Sequence, residues 1–111
     1  MDRQDFEVTV RETLSGVERA IEELALDGVE TYPTDNGGMQ LMFDNGGFIQ
    51  LNRNDDAQQL DLLRGDEITP FYYDSVEEHW FARAGEQPLL QVLGSEIGMR
   101  LSRSIILPDL I

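Results

Sequence analysis

Hydrophobic and polar residues alternate through the middle of the chain, most clearly in residues 48–62, FIQLNRNDDAQQLDL. Ile49 and Leu51 share one parity before a polar break, and Leu60 and Leu62 share it after the break. A half-buried antiparallel strand pair requires this alternation. The opposite parity carries side-chain amides instead of the usual Lys and Glu. The pattern therefore predicts two strands with one buried face and one open face that is rich in amides.

Apolar residues recur every three or four positions near both ends of the chain. In residues 6–24 they form the stripe of an amphipathic helix, which Asp2 or Asp5 can cap and which the pair Asp27-Gly28 is expected to end. A second stripe of period four follows Pro88 and continues to Leu101. Each stripe is single, so each helix is expected to bury one side only.

Short turns divide the region between the helices into five or six strands. The strongest turn signals are Asn-Gly-Gly at 36–38 and Asp-Asn-Gly-Gly at 44–47, and turns this short force neighbouring strands to be antiparallel. The expected fold is α+β, a two-layer sandwich with both helices on one face of a meander sheet, in a single domain over residues 1–111. The apolar end, SIILPDLI, is expected to pack back onto the helices.

The charge balance narrows the possible partners. The 111 residues include 22 acids against 8 bases, all arginine, for a net charge of -14. Such a chain repels nucleic acid and anionic membranes, and it favours a basic protein surface or a cation. Adaptation of the organism to high salt, where proteins in general are acidic, is an alternative explanation for the excess of acidic residues.

The cysteine content, the apolar runs and the first residues of the chain limit its possible chemistry and location. The absence of cysteine excludes disulfides, thiolate metal ligands and cysteine nucleophiles. No apolar run approaches the roughly 20 residues of a membrane span, and the first residues do not resemble a targeting signal. We therefore expect a cytoplasmic protein, or a mature form whose presequence was removed.

The order of elements and three motifs resemble the frataxin family, in particular its bacterial, CyaY-type members. Residues 36–63 are similar to the strand core of the family, with its Gly-Gly turn, Asn-Gly hairpin and Asn-Arg strand end. Residues 72–80, YYDSVEEHW, keep the family's Tyr-Asp pair and, seven residues after that Tyr, its Trp. Residues 88–101 resemble the second helix, so that the similarity runs over residues 6–107.

The resemblance implies a function and a set of partners. Frataxins are implicated in iron–sulfur cluster assembly as iron-binding accessory proteins that donate iron and regulate assembly by docking on cysteine desulfurase and the scaffold protein. The resemblance therefore implies iron, Fe²⁺ or Fe³⁺, as a weakly bound ligand. The expected state is a monomer that can oligomerise with iron.

The resemblance places partner binding on the open sheet face. Neutral amides are cheaper to desolvate than charges, which suits a docking platform, although polar residues also fill solvent-facing strand positions by default. Asp61 stands where the family usually has an exposed Trp. Trp80 can be a core or an exposed residue, and the resemblance favours at least partial exposure near the partner surface. Arg53 can reach an acidic partner or pair with Asp55. The candidate partner-binding residues are Gln50, Asn52, Arg53, Gln59, Asp61 and Trp80.

The resemblance places iron on carboxylates of the first helix and the strand after it. Carboxylate oxygens are the donors that hard cations prefer, and without His or Cys they predict a loose, exposed site of low selectivity. The alternative is an ordinary solvated helix face. The candidate metal ligands are Glu18, Glu22, Glu23, Asp27 and Glu30.

Catalytic motifs are absent from the sequence. No Gly-rich loop opens a helix, no Ser lies in a nucleophile elbow and no HxxxH occurs, so an enzyme is not expected, although weak ferroxidation by bound iron is left open. The rival class is an acidic protein-binding module such as a secretion chaperone without metal function. Such chaperones dimerise and place a helix among their strands.

Overall fold

Two helices pack against one face of a six-stranded antiparallel sheet in the computed structural model. The structure describes residues 2–82 and 87–107. The strands follow one another in the sheet in chain order, β1-β2-β3-β4-β5-β6, which confirms the predicted meander and the α+β sandwich. The elements are α1 (Arg3–Glu23), β1 (Val29–Pro33), β2 (Met39–Phe43), β3 (Phe48–Asn54), β4 (Gln59–Arg64), β5 (Glu67–Asp74), β6 (His79–Ala82) and α2 (Leu89–Leu101).

Helix α1 is capped at both ends by local hydrogen bonds. Asp2 Oδ1 accepts from the Asp5 backbone N–H at 2.7 Å, as expected for an N-cap. The other end closes before Asp27-Gly28, which corrects the predicted stop. Ala25 adopts a left-handed conformation (φ 50°), and the Leu26 N–H donates to Ile21 O at 3.3 Å in a Schellman turn. Burial of the Leu26 side chain explains why the chain reverses here without a glycine.

The alternation in residues 48–62 gives the sheet its buried face. Ile49, Leu51, Leu60 and Leu62 are fully buried against the helices. Leu51 pairs with Leu62 in the β3–β4 ladder, so the apolar residues of adjacent strands form a continuous layer. The opposite parity faces away from both helices, and we call it the open face.

Two glycines let the C-terminal segment cross α2 at close range. A Cβ at Gly98 would lie 2.5 Å from Arg103 O, and a Cβ at Gly94 would lie 2.9 Å from Ile105 O. Leu107 is buried beyond this crossing. The expected packing of the apolar end is confirmed up to Leu107, and residues 108–111 lie outside the described part of the chain.

Candidate functional site

Five acidic residues come from one continuous segment of the chain, residues 18–30, and we call them the acidic ridge: Glu18, Glu22, Glu23, Asp27 and Glu30. All five are exposed. Three belong to the C-terminal part of α1, one to the following loop and one to the edge strand β1. Within residues 2–82 and 87–107, no arginine forms an ion pair with any of them. No arginine of these ranges therefore neutralises the ridge.

The position of the ridge makes its charge unfavourable for α1. The C-terminus of a helix carries a partial negative charge, and α1 has no basic residue in its last turn. Glu18 and Glu22 are one turn apart on the same helix and repel each other. A bound cation would relieve both effects.

A sixth acid, Asp44, adjoins the ridge and was not predicted from the sequence. Its backbone N–H donates to Gly28 O at 2.9 Å, which brings the β2–β3 turn beside the loop that carries Asp27. Asp44 Oδ2 lies 3.9 Å from the position that a Cβ at Gly28 would take. The negative field of the ridge therefore extends over two loops.

The ridge fits a hydrated surface cation rather than an enclosed one. Among the residues that the structure describes, no three His, Asp or Glu side chains converge closely enough to hold a metal ion. The Tyr32 hydroxyl donates to Glu30 Oε2, and this hydrogen bond, with the negative charge of Glu30, raises the pKa of Tyr32. Carboxylates spread in this way can hold a hard cation through a few oxygens while water completes its coordination.

The open face carries the predicted amides on β3 and β4. Gln50 Nε2 donates to Asn52 Oδ1 at 2.6 Å on the open face of β3. Asn52 lies opposite Asp61, and Asn54 lies opposite Gln59. The structure thus brings together four of the six predicted partner-binding residues on one open face: Gln50, Asn52, Gln59 and Asp61.

Apolar side chains flank these amides, and they were not among the predicted partner-binding residues. Tyr32, Phe48 and Ile68 are 46%, 48% and 64% exposed and belong to the open-face parity. Ile68 lies opposite Leu63 in the β4–β5 ladder. The parity of each strand already assigns these residues to the open face. Their presence makes the face partly apolar, as surfaces that bind other proteins are.

Comparison with known proteins decides the family. The model of the frataxin-like domain family matches residues 1–103. The chain belongs to the frataxin-like family. A solved structure described as frataxin from Psychromonas ingrahamii, a model to study stability modulation within the CyaY protein family, superposes with a TM-score of 0.89. It shares 17% sequence identity and covers 98% of this chain and 100% of that chain, a likeness that shows the fold.

Family membership supports part of the function that was expected from the sequence. Frataxins are non-enzymatic iron-binding proteins that take part in iron–sulfur cluster assembly, so the chain is assigned that general role at the level of the family. The six strands follow one another from Val29 to Ala82 with no helix among them, which disfavours the secretion-chaperone alternative. No helix in the described ranges is long and apolar enough to cross a membrane.

Arg53 does not join the amides of the open face in this frataxin-family chain. It has the parity of Leu51, which points toward the helices. Its Nε lies 2.9 Å from Asp55 Oδ1, and its Nη1 lies 3.9 Å from Glu7 Oε1 on α1. The sequence left open a pairing with Asp55 or a contact with a partner, and the structure shows the Asp55 pair.

The prediction that Trp80 is exposed near the partner surface is wrong. Trp80 is 5% exposed and lies in the core between sheet and helices. Its indole N–H donates to Thr13 Oγ1 at 2.9 Å, and its ring packs against Phe6 and Tyr73 with centroid separations of 6.2 and 5.2 Å. Its strand partner Tyr73 lies on the buried parity, and the pairing of the two residues places Trp80 there as well. Trp80 is therefore a core residue that holds α1 against β6.

Proposed function

We propose that this frataxin-family chain binds iron weakly on the acidic ridge and docks on cysteine desulfurase and the iron–sulfur scaffold protein through its open face. The observation that carries the proposal is a ridge of exposed acids at the C-terminus of α1 with no arginine partner among the described residues. Family membership supports the general role. A monomeric state, oligomerisation with iron and a cytoplasmic location stay predictions of the sequence.

The ridge suits iron that must be released again. Its oxygen donors are hard, which favours Fe²⁺ and Fe³⁺ but also admits Mn²⁺ or Ca²⁺, so selectivity would be low. Exposed, mobile carboxylate side chains lose conformational entropy when they bind a metal, which keeps the affinity low. In the proposed role the iron is cargo that passes to the assembly partner.

The open face suits docking on a partner, and the charge of the ridge suits electrostatic steering of the encounter with that partner. Amides and apolar side chains can be desolvated at lower cost than charges. The strong negative field would accelerate encounter with a basic patch on the desulfurase, and salt should suppress that acceleration. The ridge would thus act during the approach to the partner, and the open face would form the final contact.

Removing charge from the ridge is expected to stabilise the protein while it weakens iron binding. The double variant Glu22→Gln/Glu23→Gln removes two charges that oppose the helix dipole, so its thermal midpoint should rise by about 2–6 °C. Fe²⁺ titration followed by amide NMR should show changes concentrated at residues 18–30 in the native chain. The same titration of the variant should show those changes reduced severalfold.

The matched control is Glu77→Gln/Glu78→Gln in the β5–β6 turn, an exposed acidic pair away from the ridge. It changes the net charge equally, and iron should perturb residues 18–30 of this control as strongly as in the native chain. Changes spread evenly over all acidic residues of the native chain would refute the ridge as the iron site.

Removal of one amide tests the docking surface. Asn52→Ala is expected to weaken binding to the desulfurase–scaffold complex by roughly three- to tenfold, the range for one interfacial hydrogen bond, while the thermal midpoint changes by only a few degrees. Gln91→Ala, which removes an exposed amide from α2 in the other layer, is the control and should bind normally. Equal affinities of both variants and the native chain, measured by calorimetry, would count against docking through this face.

A further inference from the structure

Asp61 is a carboxylate whose neighbours in the sheet ladder on the open face are uncharged. It lies on β4 between Asn52 of β3 and Pro70 of β5. Its open-face neighbours along β4 are Gln59 and Leu63. Every adjacent ladder position is therefore neutral, and the nearest charged side chains belong to Arg53, Asp55 and Asp56, which share a surface depression with Asp61 at the β3–β4 turn.

Among the described residues, no arginine forms an ion pair with Asp61. Arg53 is the nearest basic residue in the ladder, opposite Leu60, but it points to the helix side and pairs with Asp55 and Glu7. Asp61 is half-buried, and burial raises the pKa of its carboxyl, an effect that the Asn54 side chain partly offsets. The fold thus already removes part of the hydration of this carboxylate without supplying a counter-charge.

Docking would remove the remaining water. A partner that covers the amides and the exposed Ile68 must also cover Asp61, because Asp61 lies between them. Burying a carboxylate without a positive partner is strongly unfavourable, whereas a facing cation turns the same group into a determinant of specificity. The open face therefore accepts only a surface with matching charge.

Resting on the docking role proposed above, we infer that the partner presents an arginine side chain to Asp61, with apolar groups around it that cover Leu63 and Ile68. Arginine fits better than lysine because its planar guanidinium has five N–H donors in a fork. Two can bind the carboxylate of Asp61 while others reach the amide oxygens beside it, such as that of Gln59. Asp61 is in this way a specificity-determining residue for the partner.

The experiment compares three proteins, the native chain, Asp61→Asn and Glu77→Gln, in calorimetric titrations against the cognate desulfurase–scaffold complex. Asp61→Asn keeps the shape of the side chain and removes its charge, and it should weaken binding at least tenfold. Glu77 is exposed in the β5–β6 turn, so Glu77→Gln makes the same change in net charge away from Asp61 and should bind within about twofold of the native chain. Thermal midpoints of all three proteins should agree within a few degrees.

Each outcome has a distinct meaning. If the native chain binds and Asp61→Asn and Glu77→Gln bind with equal affinity, the proposed arginine contact is overturned and the docking role remains. Tighter binding by Asp61→Asn has the same meaning. Absence of binding by the native chain overturns both proposals. Self-association of the native chain that Asp61→Asn abolishes, seen by sedimentation, assigns the face to a second copy and also overturns the inference.

Discussion

Replacement of Trp80 by alanine is expected to destabilise the fold by about 3–5 kcal/mol, the range for removing a buried aromatic ring. The cavity would open between α1 and β6, where Phe6 and Tyr73 pack against the indole. Thr13 Oγ1 would also lose the donor that now lies 2.9 Å away. Far-UV circular dichroism during urea unfolding measures the loss, and it remains usable after the only tryptophan of the chain has been removed.

Two comparisons separate burial from aromatic character. Trp80→Phe keeps a ring but loses the hydrogen bond, so it should cost clearly less than Trp80→Ala. Phe48→Ala removes an aromatic ring that is 48% exposed on the open face, and it should cost less than about 1 kcal/mol. If Trp80→Ala were as mild as Phe48→Ala, Trp80 could not be the core residue that the structure shows.

The orientation of Trp80 could not be predicted from periodicity. Strand β5 contains Phe71, Tyr72 and Tyr73 in succession, and β6 contains Trp80 and Phe81, so neither parity is distinctly polar. Periodicity predicts a buried face only where the two parities differ in hydrophobicity. Residues 48–62 meet that condition, which is why their buried and open faces were predicted correctly. The family resemblance then favoured exposure for Trp80, and tertiary packing overrides it.

The candidate site was predictable to different extents. The exposure of the ridge acids on α1 follows from the apolar stripe on the opposite side of the helix. Asp44 approaches the ridge only through packing of the β2–β3 turn on Gly28, a tertiary contact without a local signal in the sequence. Arg53 has the parity of Leu51, so its position on the helix side was available from the alternation. Its grouping with the amides came from the resemblance and not from the pattern.

Glu30 connects the two proposed surfaces. It is an acid of the ridge, and it also has the open-face parity of β1, opposite Met42. Met42 in turn lies opposite Phe48 on the same face. One partner could therefore contact the negative edge and the open face together, without any rearrangement of the sheet. Steering and docking would then occur on a continuous surface.

Replacement of Glu96 by alanine is also expected to destabilise the fold strongly. Glu96 is buried on α2, with Oε1 2.8 Å from Arg64 Nη1 and Oε2 3.5 Å from Arg100 Nε. Glu96→Ala would leave two arginines without their shared counter-charge. The expected loss is roughly 3 kcal/mol, at the low end for breaking a buried pair, because both arginine side chains keep about a quarter of their exposure. Urea unfolding measures it.

Glu67→Ala is a control that removes another acid from the same arginine. Glu67 Oε2 lies 3.3 Å from Arg64 Nη2, but the Glu67 side chain is 75% exposed, so its loss should cost under about 1 kcal/mol. Equal costs for the two variants would show that burial does not strengthen the Glu96 pair. Arg64 follows Leu63 on β4, so the Glu96 pair fixes α2 to the strand that presents Asp61 and Leu63 on its other side. Glu96→Ala should accordingly loosen the open face, which amide exchange along β4 would detect as reduced protection.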